Sequence, residues 1–293
     1  MRFSKEIISD ALSFYSINDN SYLNRCLECF DYVIRHNNLM TRVKELMDVL
    51  YNKRDYLLAK LWKVKSNEEL FCNNYHPFIT NIIVLLGYKL HQENMKKYNL
   101  DDEKVFMHKK RVKEALTYDI YERGYDGIRI SQMLWASYFI NLRIIEVGSL
   151  QYELVDVNPV TKKKERCIKI HIPKNTKLDI KGVKQSLRES KNEVLKYFKI
   201  NNMECYCESW LLSKEVLKLL DSNSNILKFS KLFDIISGSD CKKDILNFVF
   251  NETPQVKYET LKVNTSLQRK LKNLLLNNGI IKIGIGRLKE DIL

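Results

Sequence analysis

The chain has 293 residues, of which 45% are hydrophobic, 9 are glycine and 4 are proline. This length and composition exclude a disordered or collagen-like chain and suit two globular domains. The formal net charge of +13 favours anionic partners, but the lysines are spread over many predicted helices, so we expect no specific nucleic-acid partner.

The sequence carries no sign of export, membrane insertion or metal binding. Its start lacks an apolar core followed by a small-residue cleavage site, and the longest apolar run, residues 78–87, is shorter than the roughly 20 residues that span a bilayer. Cys26 and Cys29 form a CxxC pair on a predicted helix stripe, with no second pair to complete a zinc site. We therefore expect a cytoplasmic protein with reduced thiols, no membrane span and no metal.

The first half of the chain has the apolar pattern of amphipathic helices. From the start to about residue 141, apolar residues recur at spacings of three and four, as in Ile7, Ile8, Ala11, Leu12 and Tyr15. Breaks rich in Asn, Asp and Pro fall at 16–21, 35–38 and 73–77. We predict about six or seven helices here, including a buried one over the apolar run 78–87.

After residue 141 the apolar period changes to that of strands. Residues 143–157 are rich in β-branched and aromatic side chains, and a polar turn leads into the alternating segment 167–172. There, Ile168 and Ile170 share one face, while Lys169 and His171 share the other. This pattern predicts a strand with one buried face and one face that a ligand can reach.

The remaining elements are predicted to mix helices and strands. Asp179 begins a helix that extends to about Phe198. We then expect a strand over 203–212, a short helix over 214–220, a strand pair from 228–236 and 245–250, a helix over 266–276 and a tail rich in glycine over 279–286.

This order of elements is that of the second half of the GNAT acyltransferase fold, and short segments agree with it. They are Gly148–Tyr152, His171–Pro173, Cys207–Leu212, Ser222–Ile226 and Phe248–Phe250. The chain resembles a bacterial family described as acyltransferase domain-containing, over residues 75–288. The resemblance implies an α+β fold, with an all-helical N-terminal domain over 1–130 and a GNAT-like mixed β-sheet domain flanked by helices over 131–293.

The resemblance also implies a function. It predicts a GNAT-type N-acyltransferase that moves an acyl group from acyl-CoA or acetyl-CoA to a small-molecule amine of unknown identity. The alternative is a catalytically inactive GNAT-like module that binds a ligand or partner. The loop 174–179 favours that alternative, because it lacks the glycines with which GNAT proteins approach the pyrophosphate.

Acyl transfer to an amine needs a base and a group that protonates the leaving thiolate. His171 is the leading candidate base, at the end of its strand, and the alternative is a structural histidine. Glu208 and Ser209 follow the next strand and are further catalytic candidates, although Ser209 is also suited to begin a turn. Cys207 has the chemistry of a nucleophile, but core packing is the preferred interpretation.

Two further sets of residues are candidates for binding. Lys174, Asn175, Thr176 and Lys177 precede a helix start, where unpaired N–H groups favour phosphates, or they form a solvated basic loop. Arg143, Asn223 and Asn225 are candidate substrate-binding residues. The alternative for the two asparagines is a turn.

Overall fold

The computed structural model describes residues 4–52, 58, 60–64, 66–72, 75–173, 176–201 and 204–292. The chain divides into two compact units, Met1–Ile144 and Ile145–Leu293. The first unit is helical and the second is built on a mixed sheet, which confirms the predicted α+β class.

The helices of the N-terminal unit follow the amphipathic stripes of the sequence. They are α1 (Lys5–Phe14), α2 (Asn20–Arg35), α3 (Asn37–Tyr51), α4 (Asn67–Phe71), α5 (Ile79–Leu86), α6 (Tyr88–Lys97), α7 (Asp102–Tyr121) and α8 (Ile130–Ile140). Every residue of α5 is buried, as predicted for the apolar run, and α1, α2, α3, α6 and α8 pack against it. None of the helices in the described ranges is long and apolar enough to cross a membrane.

Two polar clusters inside this helical core are paired. The Asn81 amide donates to the Tyr22 hydroxyl at 2.6 Å and accepts from the Ile128 backbone N–H at 3.1 Å. The fully buried Asp119 carboxylate accepts from Nε and Nη2 of Arg129 at 3.0 and 2.7 Å. These bonds fix the segment between α7 and α8, because a buried polar group without a partner costs free energy.

The predicted packing role of the CxxC pair is confirmed. Cys26 and Cys29 are fully buried on the apolar stripe of α2. Burial raises the pKa of both thiols well above the ordinary value, so both are protonated at neutral pH. Neither has the thiolate character that metal binding or nucleophilic chemistry requires.

The C-terminal unit contains a sheet of six strands in the order β1, β2, β3, β4, β6, β5. The strands are β1 (Ile144–Val147), β2 (Leu150–Val157), β3 (Lys164–His171), β4 (Cys205–Ser209), β5 (Phe233–Asp240) and β6 (Lys282–Leu288). Among the four pairs whose register is described, β3 and β4 pair in parallel, while β2 with β3, β4 with β6, and β5 with β6 are antiparallel. The parallel pair is connected through helix α9 (Ile180–Phe198), which Asp179 caps as predicted.

Shorter helices complete this unit. They are α10 (Lys214–Leu217), α11 (Asn225–Ser230), α12 (Lys242–Asp244) and α13 (Ser266–Leu276). The sequence correctly predicted α13, which begins with a capping box between Thr265 and Gln268. Helices α10 and α13 contribute to a separate apolar cluster that includes Val216, Leu271 and Leu275.

The sequence prediction is wrong at two places in this region: the segment 245–250 is not a strand, and the tail rich in glycine contains a strand that was not predicted. Residues Ile245–Val249 form a helical turn. The apolar residues at 245, 246, 249 and 250 all pack on one cluster, and this spacing is that of a helix and not of a strand. The strand role predicted for 245–250 is filled instead by β6, in the tail rich in glycine. A Cβ at Gly284 would lie 2.0 Å from the carbonyl oxygen of Leu212, so glycine there permits a close approach of two backbones.

Candidate active site

The two faces of the sheet differ in chemistry. On one face, Tyr152, Ile168, Ile170 and Cys207 pack against the apolar stripe of α9. Since side chains alternate along a strand, the residues between them project to the opposite face, and several of these are polar. They are Gln151, Glu153, Lys169, His171, Tyr206 and Glu208.

The charged residues of this polar face are paired across three strands. Nε2 of His171 lies 2.8 Å from Oε2 of Glu153, and Lys169 Nζ donates to Glu208 Oε2 at 2.7 Å. Glu153 is also the registered partner of Lys169 on the neighbouring strand. A predicted catalytic histidine and a predicted catalytic carboxylate therefore belong to one group of interacting side chains.

Electrostatics keep Lys169 and Glu208 charged in spite of their burial. Burial opposes the charge of Lys169, but the carboxylates of Glu208 and Glu153 raise the pKa of its amine above the ordinary value. Burial likewise opposes the charge of Glu208, and the Lys169 ammonium lowers the pKa of that carboxyl. The two shifts describe one stable ion pair at neutral pH.

Asp244, at the end of α12, lies within electrostatic reach of the same pair. Burial raises its pKa, and the nearby Glu208 charge raises it further. The Asp244 carboxyl thus takes up a proton more readily than an exposed aspartate does. No group of three or more His, Cys, Asp or Glu side chains within the described ranges is arranged to hold a metal ion.

The parallel ladder between β3 and β4 ends beside these side chains. Its registered pairs are Ile168 with Cys205, Lys169 with Tyr206, and Ile170 with Cys207, and none follows among the described residues. Both strands nevertheless continue. His171 still pairs with Gln151 on the outer side of β3, while β4 stays paired with β6 as far as Ser209. The backbone pairing between the two strands therefore ends at Ile170 and Cys207, while each strand keeps its other neighbour.

The residues at the end of β4 have distinct environments. Ser209 Oγ accepts a hydrogen bond from the Leu211 N–H at 3.2 Å, so it begins the turn Trp210–Leu212. An accepting hydroxyl keeps its own hydrogen for donation. Cys207 is buried on the opposite face, and burial raises the pKa of its thiol to about 12. A thiol in this state is a core residue and not a nucleophile.

The start of α9 follows the end of β3. Thr176 is half-buried, with its N–H bonded to the carbonyl oxygen of Pro173, and Lys177 is exposed. The Asp179 side chain accepts from the Gly182 N–H at 2.9 Å and so occupies one of the unpaired donors of the helix start. Lys174 and Asn175, also predicted to bind phosphate, lie outside the described residues.

The predicted substrate-binding residues belong to different units of the chain. Asn223 and Asn225 are exposed, and Asn225 is the first residue of α11. Arg143 lies in the N-terminal unit, with its guanidinium 5.0 Å from the centre of the Tyr138 ring. That unit also has a cavity of about 680 Å³, whose described lining includes His36, Arg42 and Cys72 and none of the predicted site residues.

Glu153 is the site residue that sequence analysis missed. It lies in a segment correctly predicted to form strand structure, where Gln151 and Glu153 alternate with Tyr152 and Leu154. The acidic residue at 153 within this alternating segment could have identified Glu153 as a candidate site residue. Its partner, however, depends on the register between β2 and β3, which the local pattern does not specify.

Solved structures with the same overall architecture are acyltransferases. An acyltransferase mutant in complex with octanoyl-CoA aligns with a TM-score of 0.76 at 16% identity, over 98% of this chain and 90% of that chain. An acyltransferase in complex with decanoyl-CoA aligns with a TM-score of 0.64 at 16% identity, over 96% and 98%. A third, with decanoyl-CoA and teicoplanin, aligns at 0.62 and 18% identity, over 73% and 67%.

Because the sequence identities are low, these structural likenesses establish the fold alone. No curated protein matches the sequence significantly. The family model of the GNAT-like C-terminal domain matches residues 144–288, from the start of β1 to the end of β6. The sheet-containing region of the chain therefore matches the GNAT-like C-terminal domain family, which confirms the family resemblance of the sequence.

Proposed function

We propose that this protein is an N-acyltransferase that transfers an acyl group from acyl-CoA to the amine of a small molecule. The observation that carries the proposal is the end of the pairing between β3 and β4 at Ile170 and Cys207, beyond which we propose an opening between the two strands. His171 and Glu208 extend these two strands beyond the last pair. The thioester would enter between the strands and meet polar groups that can move protons.

His171 is proposed as the general base. The acceptor ammonium loses a proton to the imidazole, the free amine attacks the thioester carbonyl carbon, and the C–N bond forms as the C–S bond breaks. The imidazolium then gives its proton to the sulfur of the departing CoA, and the new amide nitrogen releases its extra proton to solvent. The Ser209 hydroxyl is proposed to donate a hydrogen bond to that sulfur, and Glu208 is the second candidate base.

The start of α9 is proposed to hold the CoA phosphates. Backbone N–H groups at a helix start favour anions, and Thr176 and Lys177 lie immediately before it. Lys174 and Asn175 belong to the same loop and are proposed to contribute. Lys181, exposed in the first turn, adds a further cation.

The neighbouring structures suggest which acyl donors to test first. Their complexes contain octanoyl-CoA and decanoyl-CoA, and two of them also contain teicoplanin or its acylated form. By analogy, we propose a medium-chain acyl-CoA as donor and a small molecule with a primary amine as acceptor. Arg143, Asn223 and Asn225 remain proposed contacts for that acceptor.

An inactive GNAT-like binding module is the second candidate. It is favoured by the loop 174–179, which lacks glycine, and by the Asp179 carboxylate, which places a negative charge where a pyrophosphate would bind. Such a module would bind a ligand at the same opening without turnover.

A thiol-release assay with octanoyl-CoA and a panel of primary amines separates the two candidates. The acyltransferase proposal predicts amine-dependent release of CoA, and His171→Ala lowers turnover by about 10²–10⁴-fold while acyl-CoA binding is nearly unchanged. Tight binding of octanoyl-CoA with no release above the background of uncatalysed hydrolysis, for every amine tested, would favour the inactive module.

A further inference from the structure

Glu153 is a carboxylate in a position that stability alone does not favour. Its residue is 5% exposed, in the middle of β2, on the polar face of the sheet. Burying a carboxylate costs free energy that ion pairs often do not recover, and apolar residues of similar size are frequently as stable in such places. The contacts of Glu153 indicate what the buried charge can do.

Those contacts involve two residues of β3. Oε2 of Glu153 lies 2.8 Å from Nε2 of His171, and the side chain of Lys169 projects from the registered position opposite Glu153. Lys169 is itself bonded to Glu208 at 2.7 Å. The Glu153 carboxylate thus has the Lys169 ammonium beside it, and its Oε2 contacts Nε2 of His171.

We infer that Glu153 is a positioning residue that holds His171 with its proton on Nε2, an inference that rests on the proposed acyltransferase function. An ionised carboxylate only accepts hydrogen bonds, so the facing Nε2 must donate. In the neutral ring the lone pair is then on Nδ1, which becomes the nitrogen that accepts the proton of the acceptor ammonium. The same division of roles operates between the aspartate and the histidine of serine-protease triads.

The backbone gives this pair a fixed geometry. Both residues lie on adjacent antiparallel strands, and the register continues from the pair Leu154 and Ile168 to the pair Gln151 and His171. Sites on strands are held more firmly than sites on loops. During the reaction His171 gains a positive charge, and the Glu153 carboxylate stabilises that imidazolium until the proton moves to the CoA sulfur.

The tautomer of His171 can be measured without any substrate. Ring ¹⁵N shifts of the full-length protein, recorded at a pH where the imidazole is neutral, are expected to show Nε2 protonated and Nδ1 bare. In Glu153→Gln the tautomers are expected to mix, because an amide can present either an acceptor or a donor to the ring. Glu146→Gln is the matched control, since that carboxylate on β1 accepts from Gln151. A wild-type ring protonated on Nδ1, or the same tautomer in Glu153→Gln as in wild type, would overturn the inference.

Turnover provides the second readout. Glu153→Gln is expected to lower kcat by about 10–100-fold with less than a twofold change in the Kd of octanoyl-CoA, and Glu153→Asp to recover part of the loss. A purely structural Glu153 would instead lower the unfolding temperature and leave kcat of the folded enzyme unchanged, which contradicts a positioning role. If the wild type shows no turnover while the tautomer responds as expected, the proposed function fails and the tautomer assignment stands.

Discussion

Ile170 and Cys207 are the last registered pair between β3 and β4, and their side chains share the face that packs on α9. The next residues, His171 and Glu208, project to the other face, where the strands no longer pair. The end of the pairing thus coincides with two polar residues that project to the face opposite α9. This relationship places the proposed base and the proposed thioester path together.

Replacing Lys177 with alanine is expected to weaken acyl-CoA binding. A charge-assisted hydrogen bond to phosphate contributes on the order of 1–2 kcal/mol, so the Kd rises about 5–30-fold. Lys196→Ala is the control, because Lys196 is exposed in the last turn of the same helix, roughly 25 Å from its start. Isothermal calorimetry with octanoyl-CoA measures both, and equal affinities for the two variants would place the phosphates elsewhere.

Gly284→Ala is expected to destabilise the C-terminal unit by about 1–3 kcal/mol or more. The new Cβ would lie 2.0 Å from the Leu212 carbonyl oxygen, so β6 or the turn after β4 must shift. Gly182→Ala is the matched control: its Cβ would meet only Asp179 Oδ2 at 3.5 Å, and alanine favours the helix by about 0.5–1 kcal/mol. Urea unfolding checks the pair. Similar midpoints for both variants would show that the close approach at Gly284 is unimportant.

The buried pair between Asp119 and Arg129 is expected to contribute strongly to the helical unit. Asp119→Ala leaves the Arg129 guanidinium without its buried carboxylate, which costs about 3–5 kcal/mol. Glu45→Ala, which breaks the exposed pair with Arg42, is expected to cost about 0–1 kcal/mol. Helical circular dichroism during denaturant unfolding compares the two. A loss below about 1 kcal/mol for Asp119→Ala would contradict this account.

Acid is expected to destabilise the N-terminal unit through His91. Burial, followed by the nearby His108 and Lys109, lowers the pKa of this imidazole well below its usual 6.5. The unfolded state therefore binds the proton first, and stability falls as the pH drops below about 6.5, until the folded histidine also titrates. His91→Gln should show a flatter fall in unfolding temperature between about pH 6.5 and 5. A fall as steep as that of the wild type would exclude His91 as the cause.

Sequence patterns predicted the elements whose apolar spacing is regular. The helical half, the alternation around Ile168 and Ile170, and the cap at Asp179 all follow from side chains close together in the chain. They failed where tertiary contacts decide the structure. The strand β6 has a glycine at 284 because a distant backbone passes close to it, and no local pattern carries that information.

The candidate site was predicted to a similar extent. The polar face that carries His171 was identified from local alternation, and the strand predicted over 203–212 is shorter in the structure, where β4 covers Cys205–Ser209 and a turn follows it. The pairing of His171 with Glu153 depends on the register between two strands, and the bond between Lys169 and Glu208 depends on which strands are neighbours. Both are consequences of topology, which local sequence specifies weakly.

Calorimetry of the full-length protein with octanoyl-CoA tests the central claim most directly, with acetyl-CoA and free CoA as comparisons. The account predicts one acyl-CoA bound per chain, with affinity weakened by Lys177→Ala and unaffected by Lys196→Ala. It is contradicted if a folded protein, shown by a cooperative unfolding transition, binds none of the three ligands.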